Sequence, residues 1–141
     1  MPAFKKLTAN FMTEDVKATC RFYTDALGFM VYSEVPDKFD PALSQFAILG
    51  RDDVTIMVQS RRTLIEDAPA LSGAAIGASM TFFIDVEDVE ALAAALVGKA
   101  EIVNPLHDTW YHTREIYFKD PNGYIFCLAQ QLPSDDGAAQ S

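Results

Sequence analysis

Among the side chains of this 141-residue sequence whose types can do chemistry, Cys20, Cys127, His107, His112 and Arg114 are the first candidates. A thiolate can attack or ligate, an imidazole can carry a proton or hold a metal, and a guanidinium can grip a carboxylate. Two cysteines are too few for a disulfide framework and do not form a close metal-binding pair, so reduced thiols are expected. The two histidines stand five positions apart, in or just after a loop at Asn104-Pro105. They read as loop or rim residues, with metal binding or acid–base work as the alternative. Cys127 reads as a small apolar strand residue, an activated thiol being the alternative, and no basic partner lies near it in sequence. Arg114 either holds a ligand carboxylate or pairs with Glu115 or another acid. The sequence offers no nucleophile-and-base pair.

The elements that must position these groups follow from periodicity. Alternation from Phe4 to Met12 predicts a strand, with Thr13 as N-cap and Glu14 and Asp15 at the positive end of a helix. Val16, Cys20, Tyr23 and Leu27 draw one helical stripe, and Gly28 ends it. Strands are expected at Phe29–Val35, Leu43–Leu49 and Asp53–Gln59, the last two joined by a tight turn at Gly50-Arg51-Asp52. Ser60 to Ala78 reads as a connector with one helical turn near Leu64. Met80–Asp85 resumes as a strand, Asp85 and Asp88 resemble a capping box, and Val89, Leu92, Ala93 and Leu96 give a second helical stripe. Lys99–Val103 is a short strand. Last comes a hairpin within Trp110–Gln131, turning at Asp120-Pro121-Asn122-Gly123, where Pro presets φ, Asp bonds the amides ahead and Gly accepts positive φ.

Both halves therefore read βαβββ. Glu14-Asp15-Val16 recurs as Glu87-Asp88-Val89 after 73 positions, which implies two copies of one unit. The expected organisation is a single domain over 1–131, with modules 4–60 and 79–131, a connector 61–78 and a disordered tail 132–141. A formal charge of −9 argues against nucleic acid and anionic lipid as partners and is compatible with a cationic ligand. No apolar run approaches the roughly 20 residues of a membrane span, and no apolar signal core follows Met1. A cytoplasmic protein is expected.

Phe22-Tyr23-Thr24-Asp25-Ala26-Leu27-Gly28-Phe29, Asp85-Val86-Glu87-Asp88, and Arg114-Glu115 ahead of Asp-Pro-Asn-Gly resemble the vicinal oxygen chelate superfamily. Glyoxalase, extradiol dioxygenases and the fosfomycin- and bleomycin-resistance proteins belong to it. The resemblance spans Phe4 to Gln131 and implies an α+β fold of two βαβββ modules, each a curled mixed sheet, around a cleft. It also implies a homodimer. Metal enzymes of the family draw ligands from the first and fourth strand of each module, which here gives Thr8, Met57, Thr81 and Cys127. None is His, Glu or Asp, and two hydroxyls, a thioether and a thiol suit divalent ions poorly. The metal site is therefore read as absent, with no cofactor.

That register also predicts the cleft lining. A period of two places Thr8, Asn10 and Met12, then Thr55, Met57 and Gln59, then Thr81, Phe83 and Asp85, then Ile125, Cys127 and Ala129 on the inward faces. Trp110 and Tyr111 are candidates for stacking at its mouth, or for an interface. The expected ligand contacts are Thr8, Asn10, Met57, Gln59, Thr81, Phe83, Trp110, Arg114 and Cys127, with no catalytic residue. The expected function is metal-independent binding of an apolar or cationic small molecule. The alternatives are a metal-dependent glyoxalase- or dioxygenase-like enzyme with displaced ligands, and metal-free catalysis through Tyr, Cys127 or Arg114.

Overall fold

The computed structural model describes residues 1–77 and 79–133, which divide between two compact units, one ending at Ile76 and the other beginning at Gly77. The tail expected beyond Gln131 falls outside the described residues from position 134 on.

In the first unit the elements run β1 (Ala9–Thr13), α1 (Val16–Leu27), β2 (Met30–Pro36), β3 (Ser44–Arg51), β4 (Val54–Ser60) and α2 (Arg61–Asp67), then a 3-10 turn at Pro69–Leu71. The sheet order is β1-β4-β3-β2, with β1 parallel to β4 and the other pairs antiparallel. Helix α1 lays the expected stripe on β3 and β4, burying Val16, Cys20, Tyr23 and Leu27 together with Thr19 and Ala26. Tyr23 has no exposed surface and meets the rings of Phe11, Phe22 and Phe29. Beneath it lie Ala47, Leu49, Ile56 and Val58. Gly28 closes the helix at φ 67°, a left-handed conformation that favours glycine.

Four local expectations are corrected here. The first strand starts at Ala9 rather than Phe4, because only Ala9 to Thr13 find partners on β4, and Phe4 and Leu7 are exposed. The α1 N-cap is Asp15, whose carboxylate accepts from the Ala18 amide at 3.0 Å; Thr13 ends β1 and its hydroxyl accepts from the Asp15 amide. The β3–β4 turn is Asp52-Asp53, since Arg51 still pairs with Val54. Gly50 is thus a strand residue, and a Cβ there would lie 2.6 Å from the Tyr32 ring and 2.8 Å from the Val54 carbonyl oxygen. Finally, α2 is a helix of seven residues, capped by Ser60, rather than one turn.

The second unit repeats the plan with β5 (Thr81–Asp85), α3 (Val89–Leu96), β6 (Glu101–Asp108), β7 (Thr113–Lys119) and β8 (Ile125–Gln131), in the order β5-β8-β7-β6. Asp88 alone caps α3, accepting from the Ala91 amide at 3.2 Å, while Asp85 ends β5. Val89 and Leu96 are buried beneath α3, and the Phe118 and Phe126 rings stack at 5.3 Å. The Asp120 carboxylate accepts from the amides of Asn122 and Tyr124, each at 2.9 Å, and Gly123 takes φ 92°. Strand β6 runs through Asn104-Pro105 to Asp108 instead of ending at Val103. It is an edge strand, and Pro105 sits in an irregular stretch between the pairs Asn104–Tyr117 and His107–Glu115, where a missing N–H breaks no regular ladder. His107 is therefore a strand residue and not a loop residue. No helix among the described residues is long and apolar enough to cross a membrane.

Candidate functional site

The pseudo-symmetry read from the sequence fixes which side chains share a face. Asn10 pairs with Met57 in the first sheet and Phe83 with Cys127 in the second. On the next strand inward, Ile48 pairs with Met57 and Tyr117 with Cys127. One step along, Phe46 pairs with Gln59, and Glu115 with Ala129. The helix-side faces carry the core residues named above, so these rows form the opposite face of each sheet.

In the first unit this face carries a polar ladder. The Asn10 side-chain amide donates to Gln59 Oε1 at 2.8 Å, and Gln59 Nε2 donates to Asp67 Oδ2 at 2.9 Å. Asp67, at the C-terminal end of α2, only accepts when ionised, so it dictates the orientation of both amides. Gln59 must turn its nitrogen to Asp67 and its oxygen to Asn10. Asn10 Oδ1 is left buried, with no partner among the described residues. Met57 and Ile48 lie beside it in register, both half-buried. Thr8 precedes β1, outside the paired strand.

In the second unit the same face is built differently. Glu115 on β7 is buried, with 1% of its surface exposed. Its carboxylate accepts from the Tyr111 phenol at 3.1 and 3.2 Å and from the Thr113 hydroxyl at 2.8 Å. Tyr117 and Cys127 stand next to it in register. Burial pushes the Tyr117 phenol up to about 12 and the Cys127 thiol up to about 11, so both keep their protons at neutral pH. An activated thiol at Cys127 is thereby disfavoured, and the same holds for Cys20, also pushed up by burial to about 11. Desolvation and the Glu115 contact also raise the Tyr111 phenol. His107, beside Glu115 in register, places Nδ1 2.8 Å from the Pro105 carbonyl and stacks its ring on Tyr117. Phe83 and Thr81 lie exposed on β5.

The remaining expected contacts fall elsewhere. Arg114 is on the face of β7 opposite Glu115, tied to Asp108 at 2.7 Å and to Glu90. Its acid partners are thus on β6 and α3, not its neighbour Glu115. Trp110 is almost wholly exposed in the turn before β7, edge-on to Tyr111 at 5.2 Å. His112 lies in that turn at φ 65°.

Thr8, Met57, Thr81 and Cys127, the positions to which the resemblance assigns metal ligands, carry two hydroxyls, a thioether and a thiol, a donor set that suits a divalent ion poorly. Among the described residues no group of three or more His, Cys, Asp or Glu is placed to hold one. Sequence reasoning passed over Glu115, Tyr117 and Asp67. The usable signal for the first two was the period of two from Cys127 across the hairpin.

The sequence profile described as Glyoxalase/Bleomycin resistance protein/Dioxygenase superfamily matches residues 7–128. No curated protein matches the chain. Among solved structures, a glyoxalase/bleomycin resistance protein/dioxygenase from Nocardioides aligns with a TM-score of 0.73 at 23% identity, covering 94% of this chain and 87% of that one. TioX from Micromonospora sp. ML1 aligns at 0.70 and 17% identity, covering 92% and 100%. A glyoxalase-related enzyme from Fulvimarina pelagi aligns at 0.69 and 19% identity, covering 95% and 96%.

Proposed function

The chain belongs to the glyoxalase/bleomycin resistance protein/dioxygenase superfamily, and we propose that within it this protein binds a small apolar or cationic molecule without a metal. The observation that carries this reading is the orphaned Asn10 Oδ1, a buried acceptor that the Asp67-anchored ladder cannot turn away. An unmet buried acceptor costs about 1–3 kcal/mol, a cost that a donor group on a ligand would remove. Met57 and Ile48 beside it supply an adaptable apolar wall of the kind small-molecule sites use. Cytoplasmic location and a homodimer belong to the same reading.

Calorimetric and thermal-shift titration with bleomycin and a set of aromatic amines tests it. A compound that raises the melting temperature of the native protein but not of Asn10→Ala supports the reading; a panel that shifts neither argues against it. Elemental analysis of protein purified without chelator addresses the metal-dependent alternative. Stoichiometric Fe, Ni, Mn or Zn would overturn the metal-independent reading.

A further inference from the structure

Resting on that reading, the geometry of the second unit points to the class of ligand: we propose that Glu115 is the anchor for an organic ammonium or amidinium group, with the Tyr111 phenol standing in its place when no ligand is bound. A carboxylate with 1% exposure is costly to bury unless a positive charge accompanies it. None of the ion pairs among the described residues involves Glu115. Arg114 lies on the other face with Asp108 and Glu90, Lys119 reaches Glu101, and His107 turns Nδ1 to the Pro105 carbonyl.

What Glu115 has instead is neutral donors, two hydroxyls and the protonated Cys127 thiol against it. Thr113 donates at 2.8 Å, and the Thr109 hydroxyl stands 2.7 Å from Thr113 Oγ1, so the loop is fastened to the carboxylate from one side. The phenol of Tyr111 bridges both carboxylate oxygens from the other side at longer range, 3.1 and 3.2 Å, and its residue is 43% exposed. Tyr111 is the partner a ligand can displace; Thr113 is buried and stays. A nitrogen cation with N–H donors makes the same two contacts with charge assistance, which roughly doubles their strength. An apolar body then lies against Tyr117 and Trp110, whose aromatic faces attract cations.

Trp110 is the only tryptophan, so its emission reports on this loop. The test titrates the full chain with phenethylamine and with phenethyl alcohol, its neutral analogue, following Trp110 fluorescence and heat of binding. The amine should bind about tenfold or more tightly than the alcohol. Glu115→Gln should erase that preference. Tyr111→Phe, which removes the group to be displaced, should strengthen amine binding several-fold, a gain that a purely structural tyrosine would not give. Equal binding of amine and alcohol, or a preference that survives Glu115→Gln, overturns the ammonium assignment and leaves small-molecule binding standing. Failure of both compounds to bind counts against the assignment and the binding reading together. If Glu115→Gln unfolds, as judged by circular dichroism, the Tyr111→Phe gain decides: no gain overturns the proposal.

Discussion

The two sheets share one register yet distribute polarity in opposite ways. In the first unit the edge strand β1 and its neighbour β4 carry the polar groups Asn10 and Gln59, and β3 offers Phe46 and Ile48. In the second, the buried polar contacts come from β7, with Glu115 and Tyr117, while β5 leaves Thr81, Phe83 and Asp85 exposed and β8 offers Cys127 and Ala129. A duplicated backbone has thus kept its pairing while exchanging which strand supplies hydrogen bonds. Backbone ladders constrain spacing, not side-chain polarity on the face away from the helix, so that face is free to diverge. The helix side diverges too: α1 buries an aromatic cluster around Tyr23, whereas α3, eight residues long, buries only Val89 and Leu96.

The sharpest way to break this comparison is to hollow out each helix seat. Tyr23→Ala should cost about 3–5 kcal/mol and Leu96→Ala about 2–5 kcal/mol in urea-induced unfolding. A larger loss for Leu96→Ala would mean that the second core, not the first, depends more on its helix. A smaller effect is expected where the sheets differ in space. Gly50→Ala drives a methyl against Tyr32 and the Val54 carbonyl oxygen and should cost about 1–3 kcal/mol. Lys119→Ala, at the equivalent position on β7, should stay within about 0.5 kcal/mol. Equal losses would remove the role given to the Tyr32 contact.

The smallest effect concerns the edge strands, each pinned by a carboxylate. Glu34 on β2 accepts from Ser44 and from Lys17 at 2.9 Å, and these bonds hold it below its ordinary value of 4.5. Asp108 on β6 is lowered likewise by Arg114. A carboxyl depressed in the folded state adds stability above its unfolded pKa and loses it as pH falls through the folded one. The melting temperature should therefore drop on acidification below about pH 4.5, and Glu34→Gln should flatten part of that slope. An unchanged slope would show that the Glu34 bonds contribute nothing to stability.

Much of the fold could be read from local pattern. The stripe Val16, Cys20, Tyr23 and Leu27 and the stop at Gly28 are properties of neighbouring residues, and the repeat offset of 73 carried into the strand register through Asn10 and Phe83. Features set by distant partners were hidden. The first strand is short because β4 supplies partners only from Ala9, and β6 passes through Pro105 because no strand among the described residues pairs with its outer edge. The candidate site was legible as a face and not as chemistry. Glu115 looked like one member of a charged pair with Arg114, and only the alternation of β7 sends the two to opposite sides. Asp67 sits at the end of a helix whose pattern was too short to announce it.

The exposed edges have one more consequence. Strand β2 is exposed along its length and changes register between Val31 and Ser33 before ending at Pro36, and β6 is irregular from Ile102 to His107 around Pro105. A regular, flat edge of this apolar composition would template further strands and seed fibrils. Bulges and prolines spoil that template along β2 and β6, one edge of each four-stranded sheet.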